Sequence, residues 1–423
     1  MPFLDDLRWR GLVHQTTDDS GLSTWLDAQP RVVYAGFDPT ADSLHVGNLL
    51  PLLMLRRFQN AGHQPIAVVG GATGMIGDPS GKSQERNLLS AEGLARNVDS
   101  IREQMRRFLD FDRGAELVNN LDWIGKFSYL EFLRDVGKNF PVNVMLAKDS
   151  VKSRLGRDDA GISYTEFSYM LLQAYDFVHL HREFNCELQI GGSDQWGNIT
   201  AGIDLARRMD GVQLYGFTNP LLTKSDGTKM GKTEQGALWL APERTTPYQF
   251  YQYWINVDDA DAGNCLRMLT ELPREEIEAL DRARTDVPQE RASQRRLAEA
   301  LTQLVHGDAG LDAAKRATEI LFGAEIADLN DAQLSEIFAD VPSVELPRSR
   351  FTGEGLNIVG ALVESGLAKS KGEARRTVQQ GGAYVNNRRV DDPERQLTAA
   401  DLASETVVVL RSGRKKYALL RFA

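Results

Sequence analysis

Over its first 220 residues the chain alternates short apolar runs with longer stretches of helical periodicity, and that alternation narrows the choice of fold sharply. Val32–Phe37, Ile66–Val69, 116–118 and 188–190 read as strands. Between them, Leu49–Asn60, Ala91–Leu109, Tyr129–Gly137 and Thr165–His179 read as helices. Such an order predicts a parallel sheet covered by helices, with ligands at the carboxyl ends of the strands. The stretch from Asn143 to Arg157, after Pro141, reads as an inserted connector rather than another sheet unit.

A chain of 423 residues exceeds one core and divides into two or three domains. From about Pro242 to Phe338 the pattern is almost wholly helical. Val341-Pro342-Ser343-Val344-Glu345-Leu346-Pro347 then breaks helicity twice and reads as a linker. Beyond it, Ile358–Ser365 and Lys371–Gln379 form two short helices, Gly381-Gly382 a turn, and the residues around Ser412-Gly413 a hairpin. The resulting expectation is an α/β domain over 1–220, a helical domain over 221–340, a linker over 341–350 and a small α+β domain over 351–423.

Two segments carry the chemistry. Asp38-Pro39-Thr40 through His45-Val46-Gly47-Asn48 follows the first strand and opens a helix, where backbone N–H groups and a histidine suit an anionic phosphate. Lys229-Met230-Gly231-Lys232-Thr233 sets two ammonium groups three residues apart in a loop of small polar residues. Together they would hold a triphosphate and stabilise departing pyrophosphate.

Gly70-Gly71-Ala72-Thr73-Gly74 through Gly81-Lys82-Ser83 imitates a P-loop but does not fit one. A P-loop needs glycine five residues before its Gly-Lys-Ser, and that position is Ile76. The segment reads instead as a loop where backbone passes close to a ligand, with Asp78, Lys82 and Arg86 projecting from it.

Tyr169, Gln173 and Asp176 stack on one face of a helix, among Met170, Leu171, Leu172 and Phe177. The choice is between a solvated face and a small polar pocket for an amine or a hydroxyl, to which Tyr34 would add a second phenol. Gly191-Gly192-Ser193-Asp194-Gln195-Trp196-Gly197-Asn198 again joins a strand to a helix; Asp194 is either a ribose acceptor or a helix cap.

Net charge is −10, which argues against indiscriminate coating of nucleic acid. From Phe351 onward, however, Lys and Arg outnumber Asp and Glu by 12 to 8, so a basic module is attached to an acidic body. Cys186 and Cys265 match no metal spacing and read as reduced core thiols of a cytoplasmic protein. No apolar run approaches the roughly 20 residues of a membrane span, and no signal peptide is expected.

Taken together, the residues resemble the bacterial-type tyrosyl-tRNA synthetases, a family of class I aminoacyl-tRNA synthetases, over nearly the whole chain. Tyr34 to Asn48 is similar to the family's first signature and Lys229 to Thr233 to its second. Leu356 to Val390 resembles an S4-type RNA-binding module, which separates the chain from the tryptophanyl relatives. The resemblance implies a Rossmann-like catalytic domain, then an all-helical anticodon-binding domain and a small α+β S4-like RNA-binding domain. It implies that Tyr34 and Asp176 meet a tyrosine phenol, that Asp78, Tyr169 and Gln173 hold its ammonium, and that Gln195 lies near its carboxylate. Asp38, Gly192 and Asp194 would contact adenosine; Thr40, His45, Lys82, Arg86, Lys229 and Lys232 would surround the phosphates. The chain departs from the pattern twice: Asn48 stands where the first signature ends in histidine, and Gly231 where serine is usual in the second.

The implied partners are L-tyrosine, ATP with Mg²⁺ as substrate, tRNA(Tyr) and a second copy of the chain in a homodimer, with no tightly bound organic cofactor, no metal site and no membrane. Two rivals remain at this stage: a non-enzymatic RNA-binding protein, which would leave the phosphate-binding segments idle, and a synthetase for tryptophan or another amino acid.

Overall fold

The computed structural model describes residues 2–80, 90–148, 151–152, 161–233, 236–326, 329–339, 341–351, 355–414 and 416–423. The chain forms two compact units, Met1–Thr245 with Gln252–Val305, and Thr246–Tyr251 with His306–Ala423.

The first unit is built on a six-stranded sheet: β1 (Gln15–Thr16), β2 (Val32–Phe37), β3 (Gln64–Val69), β4 (Glu116–Asn119), β5 (Cys186–Gly192) and β6 (Tyr215–Asn219), in the order β1-β6-β5-β2-β3-β4. All neighbours run parallel except the edge strand β1, which pairs antiparallel with β6. β3 and β5 are buried along almost their whole length, as expected where helices cover both faces of a parallel sheet. Strand order reverses between β2 and β5, and that reversal opens a crevice at their carboxyl ends. The four strands expected from sequence are all present, each within its expected stretch or slightly longer.

The helices follow the expected pattern with shifted ends. Val46–Asn60 buries Leu49, Leu50, Leu52, Leu53 and Leu55. Tyr164–Phe184 runs five residues past the expected His179; Asn185, at φ 53°, ends it in the left-handed conformation that suits a C-terminal cap. Ala91–Met105 stops short of the expected Leu109. Among the described residues at the expected connector, Val142–Leu146 forms a short helix.

The helical stretch expected over 221–340 is divided between the units. Its helices are Pro247–Ile255, Asp259–Leu269, Arg274–Asp286, Ala292–Leu321 and Asp331–Ile337. The long one is broken at Gly307, whose φ of 74° and ψ of −178° only glycine adopts without strain.

In the second unit, the expected linker over 341–350 holds a strand instead. Ser343–Leu346 pairs in parallel with Leu419–Phe422 at the edge of a five-stranded sheet whose other neighbours are antiparallel. Pro342 and Pro347 lie just outside that strand, where a missing N–H breaks no ladder bond. Prolines that read as helix breakers therefore frame an edge strand. The helices Ile358–Glu364 and Lys371–Gln379 pack on this sheet through Ile358, Leu362, Ala374 and Val378.

Candidate active site

At the crevice between β2 and β5 lies a cleft of about 440 Å³. Its floor is a chain of buried polar groups. Asp176, on the Tyr164–Phe184 helix, is 3% exposed. Asn120 Nδ2 donates to its Oδ2 at 3.0 Å and Trp123 Nε1 to its Oδ1 at 2.8 Å. Burial pushes the carboxyl up to about 7, against the lowering effect of those two donors. The network continues outward: Asn120 Nδ2 also reaches Thr73 Oγ1 at 3.1 Å, Thr73 Oγ1 donates to Asp38 Oδ1 at 2.7 Å, and the Tyr169 hydroxyl donates to Asp38 Oδ2 at 3.0 Å. Burial, then the nearby Asp38 carboxylate, hold the Tyr169 phenol well above its usual range, so it stays a donor.

Gly70 is required for this arrangement. A Cβ there would lie 2.2 Å from Asp38 Oδ1 and 2.3 Å from Thr73 Oγ1.

Tyr34 stands on β2 with its ring edge on Phe177, 5.2 Å between centroids. The ring is 1% exposed, yet the hydroxyl has no hydrogen-bond partner among the described residues. Burial and the nearby Asp176 keep this phenol protonated. Gln189 Oε1 and Asn219 Oδ1, on β5 and β6, are also buried without a partner and line the same cleft. Buried polar atoms are nearly always paired. Three unpaired ones around one cavity mark it as built for a polar ligand.

Beside this floor is a ring of amides around one carboxylate. Gln195 Nε2 donates to Asp78 Oδ2 at 2.7 Å, and Gln173 Nε2 to Gln195 Oε1 at 3.2 Å. Asn198 Nδ2 ties the ring together, reaching Gln173 Oε1 at 3.0 Å and Gln195 Oε1 at 3.2 Å. Asp78 supplies the negative charge of this corner.

The mouth of the cleft brings the two signature segments together. Val46 N donates to Leu238 O at 2.9 Å, Leu240 N to Leu44 O at 2.8 Å, and His45 bridges Trp239. The chain just after the lysine segment is thereby stitched to the histidine turn, and Lys229, Lys232 and His45 line one cavity. His45 caps the Val46–Asn60 helix: Gly47 N donates to its Nδ1 at 3.0 Å, which leaves the proton on Nε2. His45 N in turn donates to Asn48 Oδ1 at 3.1 Å.

One expectation is corrected here. The backbone N–H groups at this helix start, expected to suit an anion, are already engaged: Val46, Gly47 and Asn48 donate theirs to Leu238 O, His45 Nδ1 and His45 O. Gly231 is likewise committed. Its N–H donates to the Tyr253 hydroxyl at 2.7 Å and its carbonyl accepts from Leu238 N at 2.8 Å. At φ +80°, with a Cβ that would meet Val46 Cβ at 2.9 Å, a serine there would be strained. The departure from the wider class is a requirement of this backbone.

Residues 27–323 match the family described as tRNA synthetases class I (W and Y), and residues 333–420 match the tyrosine–tRNA ligase SYY-like C-terminal domain. The chain is 62% identical over 420 residues to the tyrosine–tRNA ligase of Rhodopirellula baltica, covering 99% of this chain and 96% of that protein. It belongs to the tyrosine–tRNA ligase family. The tyrosine–tRNA ligase of Roseiflexus castenholzii is 54% identical over 421 residues, 99% of each chain. Among solved structures, a C-terminally truncated mitochondrial tyrosyl-tRNA synthetase of Aspergillus nidulans aligns with TM-score 0.68 at 31% identity, over 76% of this chain and 94% of that one. A tryptophanyl-tRNA synthetase of Encephalitozoon cuniculi shares the fold, with TM-score 0.55 at 14% identity, over 74% of this chain and 87% of that one.

Of the residues singled out from sequence in this tyrosine–tRNA ligase family member, Tyr34, Asp38, Thr40, His45, Asn48, Asp78, Tyr169, Gln173, Asp176, Gly192, Asp194, Gln195, Lys229 and Lys232 all line the one cleft. Lys82 and Arg86 lie outside the described residues. The polar face of the Tyr164–Phe184 helix is therefore a pocket wall and not a solvated surface.

Sequence reading missed Asn120, Trp123 and Gln189, and gave no individual role to Thr73 and Asn198 within the two glycine-rich segments. Two of the missed residues left a signal. Gln189 is a lone amide inside an apolar strand, and Asn120 follows the carboxyl end of another.

Proposed function

We infer that this chain activates L-tyrosine with ATP and then esterifies the terminal ribose of tRNA(Tyr), both in the one cleft. The tyrosine carboxylate attacks the α-phosphorus, and the α–β phosphoanhydride bond breaks to release pyrophosphate. A terminal ribose hydroxyl of tRNA then attacks the carbonyl carbon of the adenylate and AMP departs. No side chain acts as a nucleophile; rate comes from alignment and from cations placed where charge builds up.

The choice of amino acid rests on the buried, partnerless Tyr34 hydroxyl beside Asp176. A tyrosine phenol satisfies both at once, donating to the carboxylate and accepting from Tyr34. Phenylalanine leaves both facing carbon, which a buried polar group does not tolerate cheaply. Tyrosyl-tRNA synthetases are the type case of this discrimination, roughly 10⁵-fold without editing, a magnitude taken over from the family. Tryptophan has an N–H donor but no oxygen to accept from Tyr34.

The other roles follow the chemistry of each corner. Asp78, with Tyr169 and Gln173, suits the substrate ammonium, and Gln195 the carboxylate. Asp38, Gly192 and Asp194 suit adenosine. His45, Thr40, Lys229 and Lys232 suit the phosphates, with Lys82 and Arg86 assigned to the same task. Mg²⁺ would travel with ATP, bound to its phosphate oxygens.

A homodimer fits the exposed apolar surface of Tyr129, Leu130, Val142, Val144 and Tyr164, of which Leu130 is 76% exposed. The small C-terminal domain is assigned to tRNA. Cytoplasmic residence fits two buried free thiols; no described helix is long and apolar enough to cross a membrane.

Exchange of labelled pyrophosphate into ATP, run with tyrosine, tryptophan and phenylalanine, tests the reading. Exchange with tyrosine alone, followed by charging of tRNA(Tyr), is the expected result. No exchange, or exchange led by tryptophan, would overturn it.

A further inference from the structure

Asp176 has both oxygens occupied from behind, and one of the two donors is held by a residue that never reaches the cleft. Trp123 is 6% exposed and donates Nε1 to Asp176 Oδ1 at 2.8 Å. His179, one turn beyond Asp176 on the same helix, lies flat against the indole, with ring centroids 4.3 Å apart and planes 18° from parallel. The indole N–H points along the ring plane, so a tilt of that ring swings the donor off the carboxylate. A flat ring pressed on its face opposes the tilt. Burial and the nearby Lys126 and Arg182 lower the imidazole's proton affinity against the pull of Glu183, so the stack is between neutral rings near pH 7.

We propose that His179 is a positioning residue for amino-acid selection: it pins Trp123 so that Asp176 presents one fixed oxygen to the substrate phenol. This rests on the tyrosine reading above. His179 lines no part of the cleft, so its influence passes through Trp123 and is confined to the phenol end. ATP binding, at the far end, is untouched.

The test compares His179→Ala, His179→Phe, Trp123→Phe and the double variant His179→Ala/Trp123→Phe by amino-acid-dependent pyrophosphate exchange in the full-length protein. His179→Ala should raise the KM for tyrosine roughly three- to tenfold, the scale of one stacked pair. The KM for ATP and kcat should stay within about twofold. His179→Phe, which keeps a flat ring, should restore the tyrosine KM. Trp123→Phe should raise it, and the double variant should be no worse than Trp123→Phe alone.

Additive losses in the double variant, an unrescued His179→Phe that melts like the parent, or an equal fall in ATP and tyrosine parameters would each overturn the proposal. If His179→Ala does not fold, His179→Phe and Trp123→Phe still decide it. A parent protein that shows no tyrosine-dependent exchange overturns the functional reading itself; normal exchange with an unchanged His179→Ala KM overturns the positioning role alone.

Discussion

Tyr34→Phe should move stability and affinity in opposite directions. In the unliganded protein the hydroxyl is buried and lacks a partner among the described residues. An unsatisfied buried group costs about 1–3 kcal/mol. Deleting it relieves that cost, offset in part by the small void left behind, so a net gain of about 1 kcal/mol is expected. In a chain of this size that corresponds to a rise of about 1–2 °C in melting temperature. With tyrosine bound, the same deletion removes one neutral hydrogen bond, about 0.5–1.5 kcal/mol, or roughly two- to thirteenfold in kcat/KM. Phenylalanine never used the bond, so its activation should hold or improve slightly, and the tyrosine-to-phenylalanine ratio should shrink by at least the same factor. Differential scanning calorimetry without ligand and pyrophosphate exchange with each amino acid read the two effects. A variant that melts lower than the parent by about 2 °C or more, or that activates tyrosine as well as the parent does, would refute the reasoning.

Lys232→Ala should slow adenylate formation by roughly 10²–10³-fold, the cost of one misplaced charge stabiliser. Tyrosine affinity by equilibrium dialysis should stay within about twofold, and a large loss of it would reject the phosphate role. Gly231→Ala should strain the lysine segment by about 1–2 kcal/mol, since φ is +80° and the added Cβ meets Val46. Rapid-quench kinetics should show slower adenylate formation with tyrosine binding retained; wild-type rates would mean the backbone relaxes at no cost. Asp176, raised from 3.8 to about 7 by burial, should make tyrosine recognition pH-dependent. Protonation would force one of its two N–H donors off, so the KM for tyrosine should fall by up to about tenfold as pH rises from 6 to 8. The sign for stability is the reverse: the folded value lies above the unfolded one, so the unliganded protein loses this contribution as pH climbs from about 4 through 7. A flat KM profile over that range would reject the assignment.

The centre of the sheet could be read from sequence because β2 and β3 are largely buried and appear as apolar runs; the two-residue edge strand β1 and its neighbour β6 were not expected. The cleft followed from it, since a strand order that reverses leaves a crevice at the strand ends and the polar residues there have nowhere else to point. Helix ends were less accessible. Tyr164–Phe184 continues past His179 because Asn185 can take a positive φ, a property of one residue that periodicity does not register. The edge strand Ser343–Leu346 was hidden because its partner lies more than 70 residues away and its flanking prolines read equally well as breaks. Asn120 and Trp123 escaped for a similar reason: they serve Asp176 across 56 and 53 residues, and no local spacing encodes such a pairing.

The proposed phosphate role of Lys229 and Lys232 is consistent with how the histidine turn is built. A helix start with open N–H groups could hold phosphate by itself, but here Val46, Gly47 and Asn48 have already committed theirs. Backbone that is used to weld the turn to the strand-like segment Leu238–Leu240 is rigid and cannot follow a charge that moves during the reaction. On the proposed function, the charge on departing pyrophosphate would be met by side chains that extend from that weld, and Lys229 and Lys232 stand on either side of Gly231, which is itself held by Tyr253 and Leu238. A fixed glycine between two exposed lysines gives the ammonium groups reach without loosening their anchor. That division of labour would account for a side-chain-free residue at φ +80° in the centre of the segment.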